Sequence, residues 1–97
     1  MLDVSERHLS IIKEILFRMV PTCEVRAFGS RINDTAHAGS DLDLCIVDNG
    51  PIGWQTMAGL RGAFEESNLP FCVDLLDWHM IPDNFKAVIE KQYTVLQ

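Results

Sequence analysis

The chain has 97 residues, 47% hydrophobic and 23% charged, a size and balance that suit one domain (1–97) and leave no room for a second. The 14 acidic and 8 basic residues give a net charge of −6, which opposes unaided binding to nucleic acid, where affinity comes from cations on many phosphates. No apolar run approaches the ~20 residues of a membrane span, and MLDVSERHLS lacks the pattern of a signal peptide. A cytoplasmic location without membrane contact is expected.

The first helix is marked by Leu9, Ile12, Ile15, Leu16 and Met19, which recur at helical spacing. Asp3 with Glu6 fits a capping box, Ser5 is a competing N-cap, and Pro21 stops the helix near Val20. Cys23 to Phe28 reads as the first strand. Gly29 breaks it, and Ser30 starts a short helical turn. A loop through Ala38-Gly39-Ser40 leads into a second, apolar strand from Leu42 to Val47. Asp48-Asn49-Gly50-Pro51 is a turn. Trp54 to Ser67 reads as a helix with Trp54, Met57, Leu60 and Phe64 on one side, weakened by Gly59 and Gly62. A third strand covers Phe71 to Leu76. Pro82 sits in the first turn of a last helix, with Phe85, Val88 and Ile89 facing inward. Tyr93 to Leu96 is a short terminal strand or a frayed end. Strands alternating with helices give an α/β (α+β) class, with helices covering a small sheet.

Cys23, Cys45 and Cys72 are odd in number, far apart and without a C-x-x-C pair, so neither zinc nor a disulfide framework is indicated. All three are expected as reduced core residues. His8 and His79 carry no supported role.

The stretch FGSRINDTAHAGSDLDL, residues 28–44, holds the unusual chemistry. On a strand Asp41 and Asp43 share one face and Leu42 and Leu44 the other. In the third strand Cys72, Asp74 and Leu76 share a face, so Asp74 can stand beside Asp43 if the strands are neighbours, about 4.8 Å apart. Asp77 competes as the third acid but points to the opposite face by alternation. Neither strand contains Lys or Arg, and a lone buried carboxylate costs several kcal/mol in desolvation. A divalent cation is the simplest counter-charge, and an all-carboxylate site suits Mg²⁺ or Mn²⁺. Gly29 lets backbone approach a ligand, and the turn after it aims N–H groups at an anion, with the Ser30 hydroxyl as a further donor. Arg31 either adds charge there or is a solvated surface residue. A phosphate cradle facing a carboxylate metal site describes phosphoryl or nucleotidyl transfer.

Gly29-Ser30, ten residues, Asp41-Leu42-Asp43 and a later strand acid at Asp74 resemble the signature of the DNA polymerase β superfamily of nucleotidyltransferases. The short chain and its N-terminal helix resemble the minimal nucleotidyltransferases, antitoxin-type partners of HEPN-domain proteins. The resemblance implies a nucleotidyltransferase-like fold, a small mixed sheet with flanking helices. It implies that Gly29 and Ser30, with Arg31 beside them, hold the triphosphate of ATP, that Asp41 and Asp43 bind Mg²⁺, and that Asp74 completes the metal site and helps deprotonate the acceptor. The implied reaction moves AMP from ATP to a tyrosine hydroxyl of a HEPN toxin, which silences it. The alternative is a non-catalytic antitoxin that neutralises its partner by occlusion; antibiotic-modifying relatives usually need a further substrate domain. Relatives often carry a basic residue and a glycine shortly after Gly-Ser-Arg, where this chain has Asn33 and Asp34, so compensating charge is expected from His37 or a partner arginine.

Overall fold

A computed structural model describes residues 2–33, 35–37 and 39–97. The elements run α1 (Glu6–Met19), β1 (Glu24–Phe28), β2 (Leu42–Val47), α2 (Trp54–Glu65), β3 (Val73–Asp77), a 3-10 turn (Trp78–Met80), α3 (Asp83–Lys91) and β4 (Thr94–Val95). The strands form one mixed sheet in the order β3-β2-β1-β4. β1 pairs antiparallel with β2 and with β4, while β2 and β3 are parallel and joined through α2, as a parallel pair requires a crossover.

Alternation along the strands sorts the sheet into two faces. Val25, Ala27, Leu42, Leu44, Ile46 and Leu75 pack against Ile12, Ile15 and Leu16 of α1 and Met57, Leu60 and Phe64 of α2. On the other face Phe28, Cys45 and Ile89 form a smaller cluster with Leu76, Trp78 and Phe85, which seats α3. Phe28 meets Phe85 edge to face at 6.0 Å. Helix α3 thus covers one part of the second face, and the acids lie on the rest.

Ser5, not Asp3, caps α1, its Oγ accepting from His8 N–H at 3.3 Å. Asp3 instead donates its N–H to the Arg31 carbonyl at 2.7 Å. The terminal segment is a strand rather than a frayed end, held by Leu96 N–H donating to Val25 O at 2.8 Å. β2 has the bounds its apolar run suggested, whereas β3 is shifted towards Asp77 and α2 ends two residues before Ser67, whose hydroxyl donates to Phe64 O.

Three inward assignments are corrected. Trp54 is 78% exposed at the first turn of α2 and Val88 is 59% exposed on α3. Cys72, just before the edge strand β3, is exposed rather than a core residue. Cys23 and Cys45 are buried as expected. Burial pushes the Cys45 thiol up to about 11, which leaves it inert as a nucleophile.

Asp77 shares the face of Leu75, which packs against α1 and α2, and points away from Asp74. Its Oδ2 accepts from Ile52 N–H at 2.9 Å and its Oδ1 from His79 N–H at 3.0 Å, tying the loop before α2 to the turn after β3. Asp77→Ala leaves two part-buried N–H donors without their acceptor and is expected to cost about 1–3 kcal/mol in urea unfolding.

Candidate nucleotidyl-transfer site

The parallel register of β2 and β3 sets Asp43 directly against Asp74, and the antiparallel register of β1 sets Phe28 against Asp43. Asp43 is therefore central, with Asp74 on one side and the end of β1 on the other. Asp41 lies exposed one step before β2, and Asp74 is exposed on the edge strand. Half-burial pushes the Asp43 carboxyl above the ordinary carboxylate value, and the negative charges of Asp74 and Asp41 push it further. Among the described residues the ion pairs are Arg26–Glu24 and Lys86–Asp83, and neither neutralises these acids.

Gly29 follows β1 with φ +83°, a left-handed conformation suited to glycine. A Cβ at this position would fall on the Asp43 carboxylate, 3.1 Å from Cγ and closer still to Oδ2. Only a glycine lets this backbone lie against the acid. The chain then turns: Ile32 and Asn33 N–H both donate to Gly29 O, at 3.0 and 3.1 Å. Ile32 is fully buried and anchors the turn to the core. Ser30 is half-buried in this turn.

Arg31 differs from the solvated alternative. It is 7% exposed, and its guanidinium lies over the Phe71 ring with 4.2 Å to the centroid. Nη1 donates to Asp3 O at 2.9 Å, while Nε and Nη2 fork onto Ser40 O at 3.0 and 2.8 Å. The residue thus clamps both ends of the 30–40 loop, fixing Gly29-Ser30 relative to Asp41. Sequence reading missed this because the partners are backbone carbonyls 28 and 9 positions away. Arg31→Lys keeps the charge but cannot reproduce the planar fork. It is expected to destabilise the fold by about 1–3 kcal/mol in denaturant unfolding, with faster proteolysis of the loop.

His37 is exposed, its N–H donating to Ser40 Oγ at 3.0 Å, and Asn33 Oδ1 accepts from Thr35. Asp34 lies outside the described residues. His79 Nε2 bonds the Asp48 carbonyl at 2.6 Å, a packing role, and His8 meets the Phe71 ring edge-on.

Two clefts flank the acids. One, of about 540 Å³, runs along β3 past Pro70, Phe71, Cys72 and Asp74. The other, of about 360 Å³, lies between the Gly29 turn and α3, walled by Phe28, Gly29, Asn33, Val88, Lys91 and Gln92. Among the described residues no three His, Cys, Asp or Glu side chains are drawn together closely enough to grip a metal ion. The donor chemistry nevertheless fits Mg²⁺: carboxylates alone, sharing one face, with an uncompensated and raised central acid.

A mixed sheet carrying acids on neighbouring strands beside a Gly-Ser turn defines a nucleotidyltransferase palm. The family described as "Poly(A) RNA polymerase, mitochondrial-like, central palm domain" matches residues 2–92. The chain belongs to this palm family, as a minimal nucleotidyltransferase. It is 44% identical over 96 residues to the probable protein adenylyltransferase MntA of Haemophilus influenzae, covering 99% of this chain and 84% of that protein. Two crystal structures resemble its fold, each across 92% of this chain and 72% of theirs. One is a toxin-antitoxin with AMP-PNP, at TM-score 0.77 and 22% identity. The other is a mutant of the toxin-antitoxin MntA-HpeT, at TM-score 0.76 and 20% identity.

Proposed function

We propose that the chain is a Mg²⁺-dependent protein adenylyltransferase, which transfers AMP from ATP to a tyrosine hydroxyl of a cognate HEPN toxin and so acts as its antitoxin. The observation that carries the reading is Asp43 standing in register with Asp74 while the Gly29 backbone lies against its carboxylate. The name of the relative, a probable protein adenylyltransferase, supports AMP as the transferred group, and the toxin-antitoxin neighbours support the kind of partner.

In this reading Asp41, Asp43 and Asp74 would hold Mg²⁺, whose charge would offset the repulsion that Asp74 and Asp41 exert on Asp43. Mg²⁺ held there would supply Lewis-acid polarisation of the α-phosphate and charge to offset the leaving group. The Ser30 N–H and hydroxyl, at the start of the turn, bind phosphate oxygens, while the Ile32 and Asn33 N–H groups hold the turn closed on Gly29 O. Arg31 acts on the loop rather than on the nucleotide and is a positioning residue. Asp74 accepts the phenolic proton as the tyrosine oxygen forms its bond to the α-phosphorus. The bond from that phosphorus to the bridging oxygen breaks, and pyrophosphate leaves. In-line displacement needs the acceptor opposite the leaving group. That favours entry of the tyrosine through the cleft ending at Asp74, with pyrophosphate on the Gly29 side.

A second reading, neutralisation by occlusion, is favoured by one feature. Trp54 and Met80, 78% and 72% exposed, flank an apolar cleft of about 350 Å³ floored by Met57 and Leu75. An RNase assay of the partner toxin separates the two. Under the catalytic reading, inhibition requires ATP and is lost in the Asp41→Asn, Asp43→Asn double mutant. Full inhibition by that mutant without nucleotide would establish occlusion instead.

A further inference from the structure

Among the described residues the Gly-Ser turn has no available cation of its own. Arg31 is folded onto the Asp3 and Ser40 carbonyls. Arg26, on the same face as Asp43, is paired with Glu24 and held between the rings of Trp78 and Tyr93, at 4.9 and 4.7 Å. Lys86 pairs with Asp83 at 3.8 Å and lies over Trp78. A triphosphate bound to a chain of net charge −6 needs positive charge beyond what Mg²⁺ brings.

The cleft behind Gly29 contains that charge. Val88 and Lys91 have i, i+3 spacing on one side of α3, and with Gln92, the C-cap that follows, they face Phe28, Gly29 and Asn33 across the cleft. Lys91 is the only charged residue among its described walls, and no ion pair engages it among the described residues. The helix is held in this register from below: Ile89 is fully buried and Phe85 abuts Phe28. The exposure of Val88 has the same cause, since it walls the cleft instead of packing in the core. A Lys at the end of a helix also complements the helix dipole. That accounts for its charge but not for its setting opposite the turn that adjoins Asp43.

We infer that Lys91 is the cation that binds the terminal phosphates of the nucleotide, carrying the pyrophosphate portion as it leaves. The inference rests on the nucleotidyl-transfer reading and adds a binding residue from α3, far beyond the Gly29-Ser30 pair in sequence. It makes the positive charge absent from the Asn33 end of the turn a contribution of this chain itself, with no partner arginine required.

Calorimetric titration with AMP-PNP and with AMP, both in Mg²⁺, tests it on the full chain. Lys91→Met is expected to weaken AMP-PNP by about tenfold or more, the value of a charge-assisted phosphate contact, while AMP changes by less than about twofold. Lys91→Arg should keep AMP-PNP within about threefold of the wild type. Equal losses for AMP-PNP and AMP would overturn the assignment in favour of a nucleoside contact. An unchanged AMP-PNP affinity, in both Lys91→Met and Lys91→Gln, would leave the lysine only its helix-end role and equally overturn it. A wild type that binds neither ligand would defeat the nucleotidyl-transfer reading and this inference together, whereas normal wild-type binding with unaffected variants defeats the inference alone.

Discussion

Asp43→Asn is expected to lower AMP transfer by about 10³-fold or more and at the same time to raise the melting temperature of the metal-free protein. The two effects share one cause. The Asp43 carboxyl is raised by its half-buried position and by Asp74 and Asp41, so its ionised form is disfavoured in the fold. A carboxyl whose folded value exceeds its unfolded one binds more protons in the folded state between the two. Its contribution therefore favours the fold at low pH and weakens as pH rises through that window, upward from the ordinary 3.8. Asparagine removes this pH dependence, and each kcal/mol relieved corresponds to about 4–8 °C in a domain of this size. Mg²⁺ should reverse the order by stabilising the wild type and not the variant, because only a ligand of the folded state raises Tm. Thermal melts at pH 5 and pH 8, with and without Mg²⁺, check all of this. A variant that melts below the metal-free wild type at pH 8 would remove charge repulsion as the explanation of the site.

Gly29→Ala is expected to be the most damaging single methyl in the molecule. The added Cβ would collide with the Asp43 carboxylate and be held at a left-handed φ of +83°. The backbone part costs about 1–2 kcal/mol and the overpacking about 1–3 kcal/mol more. A double-mutant cycle separates them. Combined with Asp43→Ala, the collision disappears and the backbone cost stays, so the pair should show a coupling of about 1–3 kcal/mol in denaturant unfolding. Additive costs would mean that Gly29 and Asp43 do not touch. Gly59, in contrast, faces only the flexible end of Met19 at 3.1 Å, and alanine is tolerated better there.

The sequence carried the site further than it carried its surroundings. The bounds of β2 follow from its apolar run, and alternation makes Asp74 able to stand beside Asp43 if the two strands are neighbours; in the structure they are, with Asp43 opposite Asp74. Alternation also assigned Asp77 to the opposite face, where it ties two loops together. What alternation and helical spacing do not encode is which element covers which face. Val88 and Trp54 fit an apolar stripe, yet one walls a cleft and the other stands at the open end of α2. Cys72 fits an apolar run, yet the run belongs to an edge strand. The burial of Arg31 was illegible for another reason: its partners are carbonyls, which every residue possesses, and the loop geometry that aims them is a tertiary property. Lys91 escaped notice because it lies far from the motif in sequence, and only the seating of α3 on Phe28 brings it opposite Gly29.

AMP, with its α-phosphorus, is expected to move to a tyrosine of the partner toxin. ATP labelled at the α-phosphate and ATP labelled at the γ-phosphate, each incubated with Mg²⁺, the chain and its toxin, test this most directly. The α-label should remain on a toxin tyrosine and the γ-label should leave as pyrophosphate, with neither retained when Asp43→Asn replaces the wild type. Retention of the γ-label on the toxin, or a toxin inhibited while carrying neither label, would contradict the account.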